Sequence, residues 1–242
     1  MTEFWDHPDL LVVTGSRLYG VAKPDSDHDL RGFVVPPVDY VIGLKRFEQR
    51  QWNQPDDKIV YSIHKFVQLL LGSNTHALEL LFAPHDMIIK STAVGKRMIA
   101  ARMSFVTRQS FRPFMGFSIS EWRKVLGTRM EVEKLQPSQQ RVIDMIREVY
   151  APDKVWMDEI VELLTKNHAR TEVPGTRHLG ERRKAEIGKF GYSVKNAYHA
   201  IRLLNQGIEL LETGQMTFPR PNAEYLRDIR DGRMTIAELT GE

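Results

Sequence analysis

Hydrophobic and polar residues follow two kinds of pattern along this chain, and the change between them falls near residue 112. In the first part, short apolar runs bounded by Gly, Pro or Asp predict β-strands. The predicted strands lie at 9–14, 29–35, 46–52 and 58–61. Apolar spacing of three and four residues then predicts helices over 62–71 and 75–82, with Ser62 as the N-cap of the first and Gly72 after its end.

The rest of the chain has helical spacing almost throughout, with polar residues or Pro at the predicted helix starts. The predicted helices lie at 91–103, 118–126, 137–149, 153–167, 192–213, 221–232 and 235–239. A basic segment without periodicity, 171–189, predicts a loop. We therefore predict an α+β protein with a mixed-sheet domain over 1–112 and a helical domain over 113–242 that lines a cleft.

Composition excludes several classes of protein. The 242 residues include no Cys, which excludes a disulfide scaffold, a Cys-based zinc site and thiol catalysis. Hydrophobic residues make up 42% of the chain, enough for a packed core. No apolar run approaches the ~20 residues of a membrane span, and no basic segment precedes the first apolar run. These features predict a cytoplasmic protein that does not bind membranes.

The net charge of +3 hides an asymmetry between the two parts of the chain. Residues 1–90 hold 9 Lys and Arg against 12 Asp and Glu, a net charge of −3. Residues 91–242 hold 25 against 19, a net charge of +6. An acidic first part and a basic second part suit an enzyme that binds cations in one part and a polyanion in the other, although ordinary solvated surfaces would give the same totals.

The segment 15–32, GSRLYGVAKPDSDHDLRG, carries the candidate chemistry. A strand runs into Gly15 and Ser16, and after ten residues Asp27 and Asp29 open a second strand. Gly15 permits a tight turn, and Ser16 offers a hydroxyl and an N–H to a phosphate oxygen. Residues two apart on a strand share a face, so both carboxylates are expected to point the same way and to bind Mg²⁺ together with triphosphate oxygens.

Two metal ions about 4 Å apart can activate a hydroxyl and stabilise a leaving pyrophosphate, and they require a third carboxylate. Asp57 is the candidate because it stands at the head of the apolar strand 58–61. Asp56 and Glu79 remain alternatives. We expect two Mg²⁺ ions, with Mn²⁺ as a possible substitute.

This sequence resembles the polymerase-β-like nucleotidyltransferase superfamily. The signature of that superfamily is a strand that ends in Gly-Ser, followed after ten residues by Asp-x-Asp. The longer motifs GSRLYG, SDHDLRG and DKIVYSIHKFVQLLLGSNTHALELLF resemble the predicted nucleotidyltransferases found beside RNA ligases in RNA-repair gene neighbourhoods. KNAYHAIRLLNQGIELLETG and LRDIRDG resemble the C-terminal helical signature of that family. The resemblance covers residues 9–82 and 191–233.

The resemblance implies metal-dependent transfer of a nucleoside monophosphate from a nucleoside triphosphate, with Asp27 and Asp29 as metal ligands. It leaves the acceptor open, and we favour ATP as donor and an RNA end as acceptor. The predicted catalytic and metal-binding set is Asp27, Asp29 and Asp57. The predicted nucleotide or phosphate contacts are Gly15, Ser16, Arg17, Tyr19, Arg31, Lys195, His199 and Arg202.

Other interpretations stay open for several of these residues. Lys195, His199 and Arg202 lie opposite the apolar stripe of the helix 192–213, so they face either the cleft or solvent. Tyr19 is as consistent with packing as with a contact to the base or sugar. Arg31 is as consistent with pairing to the aspartates as with a phosphate contact. The alternatives for function are the same chemistry on a protein side chain or small molecule, and a catalytically weak nucleotide- or RNA-binding regulator.

Overall fold

The computed structural model describes residues 3–126 and 187–240. The chain divides into two compact units. The first unit contains 1–116 and 202–227, and the second contains 117–201 and 228–242. The first unit therefore combines the mixed α/β part of the sequence with a segment from near its C-terminus. The predicted boundary at residue 112 and the role of the helical domain as a cleft wall stay predictions.

A five-stranded sheet forms the centre of the first unit. Its strands are β1 (Leu10–Thr14), β2 (Asp29–Val34), β3 (Gln49–Trp52), β4 (Asp57–Ser62) and β5 (Ile88–Ser91), in the order β3-β4-β2-β1-β5. The pair β2 and β4 is parallel, and the other neighbouring pairs are antiparallel. In the parallel register Asp29 is opposite Asp57, so these two strands begin side by side.

Five helices accompany this sheet. They are α1 (Gly15–Leu18), α2 (Val38–Val41), α3 (Ile63–Leu71), α4 (Thr75–Phe82) and α5 (Ala93–Ala100). All except the exposed α2 contribute buried residues to the core. Phe66 of α3 stacks on Phe33 of β2 with ring centroids 4.7 Å apart, and both side chains are fully buried. The Ser62 side chain accepts a hydrogen bond from the backbone N–H of Lys65, which confirms the predicted N-cap of α3.

The C-terminal segment of the first unit packs against its N-terminal part. It contains the later residues of α7 (Val194–Thr213) and most of α8 (Ala223–Arg230). A Cβ on Gly207 of α7 would stand 2.9 Å from the Cβ of Phe114, so the absence of a side chain permits this close approach. Beyond α7, the backbone N–H of Arg220 donates to the carbonyl of Tyr19 at 3.2 Å.

The second unit contains the later residues of α6 (Phe111–Leu126), the start of α7 and the last described helix, α9 (Ile236–Thr240). The Ser118 hydroxyl donates to the carbonyl of Ala200 at 2.8 Å, which joins α6 to α7. The hydroxyl of Tyr192 donates to the carbonyl of Met234 at 2.7 Å. Both bonds link residues that are distant in the sequence.

The structure confirms the α+β class and most of the predicted elements in the described ranges. The sequence analysis predicted no strand at β5, which is only four residues long. Helix α6 begins at Phe111 rather than at 118, because Pro113 falls in its first turn, where Pro is tolerated. The helices predicted at 137–149 and 153–167, and most of the loop predicted at 171–189, lie outside the described residues. None of the helices in the described part is both long and apolar enough to span a bilayer.

Candidate active site

The site begins where β2 and β4 start next to each other. Asp29 is the first residue of β2 and Asp57 the first of β4, and the parallel register places them directly opposite. Neighbouring strands lie about 4.8 Å apart, and paired residues project from the same face. Asp56 comes one residue before Asp57 and lies outside β4, so the register favours Asp57 as the carboxylate that accompanies Asp29.

Asp27 lies in the loop before β2 and is exposed. The prediction that Asp27 shares a strand with Asp29 is therefore wrong. A turn at 23–26 explains the later start of the strand, because the backbone N–H of Lys23 donates to the Ser26 hydroxyl and the N–H of Ser26 donates to the Lys23 carbonyl. Arg17, a predicted phosphate contact, donates from Nη2 to the carbonyl of Ser26 at 2.9 Å and so holds this loop.

Repulsion between carboxylates acts on Asp29. Burial raises the pKa of Asp29 above its ordinary value, and the neighbouring charges of Asp57 and Asp27 raise it further. Arg31, on β2, and His76, on α4, act in the opposite direction and lower the pKa of Asp29. The ionisation of Asp29 at the start of β2 is thus influenced by two other acidic groups and two basic groups.

Gly15 makes room for the Asp29 carboxylate. Its φ is +65°, and a Cβ built on it would stand 1.9 Å from Oδ2 of Asp29. Only a residue without a side chain allows the turn after β1 to contact this carboxylate. Ser16 follows in α1 and is partly exposed. The structure therefore places the Gly-Ser turn against the Asp29 carboxyl group.

We expect Gly15→Ala to destabilise the first unit by about 1–2 kcal/mol from the left-handed backbone alone, and to displace Asp29 as well. Any stabilisation of the protein by Mg²⁺ should weaken with that displacement. Urea unfolding with and without Mg²⁺ measures both effects. The matched control is Gly116→Ala in α6, where a Cβ would meet no atom within 4 Å. Equal stability of the two variants would contradict the assigned role of Gly15.

The donor chemistry around Asp29 fits a hard divalent cation. Carboxylate oxygens are the ligands that Mg²⁺ takes together with phosphate oxygens. Burial raises the pKa of Asp29 most, and the neighbouring carboxylates of Asp57 and Asp27 add to that shift. Among the described residues, no group of three His, Asp or Glu side chains is arranged as a complete metal site. Asp29 and Asp57 are the two carboxylates placed side by side, and phosphate oxygens of a bound nucleotide would add further ligands.

Glu79, one of the alternatives for the third carboxylate, is committed elsewhere. It lies on α4 with 0% exposure and accepts four hydrogen bonds. Two reach Oε1, from Nη1 of Arg202 at 2.8 Å and from Nε2 of Gln206 at 3.1 Å. Two reach Oε2, from the hydroxyl of Tyr19 at 2.8 Å and from Nδ1 of His76 at 3.3 Å. We call these five residues the Glu79 network.

The ionisation of Glu79 follows from this network. Burial by itself raises the pKa of a carboxyl group, but here the Arg202 charge and the hydrogen bonds from His76 and Tyr19 outweigh it. The net result is a pKa of about 2 for Glu79. Glu79 is therefore a buried, ionised carboxylate at neutral pH, and we assign it to positioning rather than to metal binding.

Two predicted nucleotide contacts belong to the same network. Arg202 is only 2% exposed, and its guanidinium lies 4.1 Å from the centroid of the Tyr19 ring. Tyr19 is 3% exposed, which favours the packing interpretation over a base contact. The expectation that Arg202 faces the cleft or solvent is wrong, because it is buried against Glu79 together with Gln206 of the same helix.

The remaining predicted residues have the following places. Arg31 lies two residues after Asp29 on β2 and is partly exposed. Lys195 and His199 lie at the start of α7, in the second unit, with Lys195 exposed and His199 partly exposed. Their phosphate-binding role stays a prediction.

His76 is a further residue of this site, and the sequence pattern did not single it out. The sequence does place His76 three residues before Glu79, so the two share one face of the same helix. The apolar residues around Glu79 pointed instead to a helix buried for packing. The structure brings His76 into contact with Glu79 and within electrostatic range of Asp29.

Comparison with known proteins bears on this arrangement. A family described as "RNA repair pathway DNA polymerase beta family", abbreviated RlaP, matches residues 10–240. The chain belongs to this family. RlaP membership confirms the resemblance to polymerase-β-like nucleotidyltransferases and supports a nucleotidyltransferase-like role.

Among curated proteins, this RlaP chain is similar to an "Uncharacterized 38.9 kDa protein in nrdC-mobD intergenic region" of Enterobacteria phage T4. The two are 24% identical over 283 aligned positions, which cover 90% of this chain and 81% of the phage protein. No solved structure matches the chain significantly.

Proposed function

We propose that this protein is a metal-dependent nucleotidyltransferase. It moves a nucleoside monophosphate from a nucleoside triphosphate, with ATP favoured, to the hydroxyl of an RNA end and releases pyrophosphate. The observation that carries the proposal is the parallel register of β2 and β4, which sets Asp57 beside Asp29 next to the Gly15 turn. Membership of the RlaP family supports the same chemistry.

Asp27, Asp29 and Asp57 would hold two Mg²⁺ ions, for which Mn²⁺ can substitute. Bound there, such ions supply charge neutralisation for the triphosphate and lower the pKa of a coordinated hydroxyl. The protein supplies a fixed position for Asp29 and Asp57 through the strand register, and Arg17 fixes the loop that carries Asp27. Most of the rate enhancement would come from this positioning and from electrostatic stabilisation.

The triphosphate would lie against the turn after β1. The hydroxyl and N–H of Ser16 offer hydrogen bonds to phosphate oxygens, and Arg31 offers a positive charge on the strand that carries Asp29. We propose Lys195 and His199 as further phosphate contacts. Arg202 and Tyr19 are left out of this set because both are buried in the Glu79 network.

An RNA acceptor is supported by the description of the family and by one surface of the first unit. At the edge strand β3, the Arg50 guanidinium lies 5.6 Å from the ring centroid of Trp5 and 5.9 Å from that of Trp52. The Lys58 ammonium lies 4.6 Å from the centroid of Trp52. Cations among aromatic rings suit the phosphates and bases of a single strand. The register puts Trp52 and Lys58 on the sheet face opposite Asp57, so an acceptor strand would pass around this edge.

Incubation with each α-labelled nucleoside triphosphate, Mg²⁺ and a panel of RNA, DNA, protein and small hydroxylated acceptors tests the proposal. We expect label from ATP on RNA, and loss of that label in the Asp27→Ala/Asp29→Ala variant. Asp86→Ala, an exposed carboxylate at the turn before β5, is the matched control and should transfer at the wild-type rate.

Each contrary result has a definite meaning. Label on a protein or small molecule alone would overturn the RNA assignment and keep the chemistry. Label that survives the double change would refute the carboxylate mechanism. Binding of ATP or RNA with no transfer to any acceptor would refute the enzyme and leave a nucleotide- or RNA-binding regulator.

A further inference from the structure

His76 connects the buried Glu79 carboxylate to the candidate active site. Its side chain is 42% exposed, whereas that of Glu79 is 0% exposed. Nδ1 of His76 lies 3.3 Å from Oε2 of Glu79, and the imidazole is close enough to Asp29 to affect its ionisation. The ring therefore bridges the protein interior and the surface that carries the aspartates.

The network determines which imidazole nitrogen carries the hydrogen. Glu79 is ionised at neutral pH, so its oxygens have no proton to donate. The contact with Oε2 must then be a hydrogen bond donated by Nδ1–H of His76. In the neutral ring, Nε2 carries the lone pair and can accept a proton.

The orientation of Glu79 is itself fixed. Tyr19 donates to the same oxygen as His76, while Arg202 and Gln206 occupy the other oxygen. Tyr19, Arg202 and Gln206 thus fix the orientation of the Glu79 carboxylate. That carboxylate in turn orients the His76 imidazole. Within the described residues, Nε2 of His76 has no hydrogen-bond partner. A buried carboxylate that orients a histidine, with the second nitrogen open to a ligand, is the arrangement found where histidine acts as a base.

We propose that His76 is a catalytic residue that accepts the proton of the acceptor hydroxyl, with the Glu79 network as its positioning group. This rests on the proposed nucleotidyl transfer. The hydroxyl proton moves to Nε2 of His76, and the hydroxyl oxygen forms a bond to the α-phosphorus. The bond from the α-phosphorus to the oxygen bridging to the β-phosphorus breaks, and its electron pair leaves with pyrophosphate. The proton on His76 then returns to solvent.

The competing interpretation is that His76 only stabilises α4 by an i, i+3 pair with Glu79. Two substitutions separate these interpretations. His76→Asn places an amide N–H near the position of Nδ1 and can still donate to Glu79, but it has no group at Nε2. His76→Ala leaves space that free imidazole can enter. The matched control is His64→Ala, an exposed helical histidine whose side chain is hydrogen-bonded, among the described residues, to Gln68 alone.

The test measures single-turnover transfer, the Kd for ATP and the melting temperature for wild type and the three variants. We expect His76→Asn to retain its melting temperature and ATP affinity and to lose about 10²–10⁴-fold in transfer rate, the usual contribution of a general base. Added imidazole should restore part of the rate of His76→Ala. The transfer rate of His64→Ala should not change.

Transfer by His76→Asn within threefold of wild type would overturn the proposal, as would a rate for His76→Ala that imidazole leaves unchanged. If wild type transfers nothing to any acceptor, the proposed function fails first. In that case ¹⁵N resonances of His76 decide: a shift of Nε2 on addition of ATP and Mg²⁺ keeps His76 as a ligand-contacting residue but removes the base role. Unshifted resonances remove both.

Discussion

Asp29→Asn should abolish nucleotidyl transfer and leave the protein at least as stable as wild type. The substitution keeps the size of the side chain and removes its charge, so the proposed metal site loses the carboxylate that contacts the Gly15 turn and is the register partner of Asp57. Metal coordination contributes several kcal/mol of transition-state stabilisation, so we expect a loss of at least about 10³-fold in kcat/KM.

The stability prediction follows from the sign of the pKa shift. The pKa of Asp29 is raised in the folded protein, so the folded state binds this proton more tightly than the unfolded state does. The contribution of Asp29 to the free energy of unfolding is therefore favourable below the unfolded pKa and is lost as the pH rises through the folded pKa. At pH 7 the ionised side chain is unfavourable without a cation, and asparagine removes that penalty.

Thermal unfolding at pH 7 with and without Mg²⁺ measures the stability of Asp29→Asn relative to wild type and the response of each protein to the metal. Wild type should melt at a higher temperature when Mg²⁺ is added, because a ligand that binds only the folded state stabilises it. Asp29→Asn should melt at or above the metal-free wild-type temperature and should not respond to Mg²⁺. Asp86→Asn serves as the control for loss of one exposed carboxylate. An Asp29→Asn protein that still responds fully to Mg²⁺ would place the metal elsewhere.

Arg202→Met should destabilise the first unit by about 3–5 kcal/mol, the usual cost of leaving one member of a buried ion pair without its partner. Arg202 and Glu79 are 2% and 0% exposed and lie 2.8 Å apart. Glu79→Gln/Arg202→Met removes both charges at similar volume, and we expect it to be more stable than Arg202→Met alone. Urea unfolding measures both differences.

The contribution of Glu79 to stability should reverse its pH dependence in the Arg202→Met variant. In wild type the pKa of Glu79 lies at about 2, below its unfolded value. Its stabilising contribution is therefore present above the unfolded pKa and is lost as the pH falls towards 2. Without Arg202, burial is the dominant influence and raises the pKa of Glu79. The deficit of Arg202→Met relative to wild type should then be smaller at pH 4 than at pH 7.

The surface pair between Lys65 and Glu48 is the matched control, because Glu48 is 76% exposed. Lys65→Met should cost at most about 1 kcal/mol at either pH. An Arg202→Met variant as stable as Lys65→Met would mean that the Glu79 network does not hold the unit together.

The sequence predicted the part of the site that depends on local pattern. An apolar run before Gly15 and another after Asp57 fix where strands end and begin, and strand ends place Asp29 and Asp57. The capping of α3 by Ser62 is likewise local. The sequence did not predict the loop position of Asp27, because the segment 25–29 is compatible both with a turn and with an alternating strand. In the structure, the hydrogen bonds that Ser26 makes with Lys23 and Arg17 hold this segment as a turn and loop.

The part that depends on distant partners could not be read from the sequence. Polar residues at helical spacing on α7 indicate an exposed face, unless a buried charge of opposite sign exists elsewhere in the fold. That charge is Glu79, 123 residues before Arg202, and nothing near either residue in the sequence identifies the other. The base role proposed for His76 depends on the same distant contact.

This long separation has a consequence for biosynthesis. Until the ribosome has delivered α7, Glu79 lacks Arg202 and Gln206, and burying it would leave a carboxylate without its counter-charge. A nascent chain that ends before Arg202 cannot complete the first unit, although every proposed metal ligand has already been synthesised. The protein should therefore become competent for chemistry only after synthesis has passed α7, and premature termination upstream should yield aggregation-prone fragments rather than a partly active enzyme.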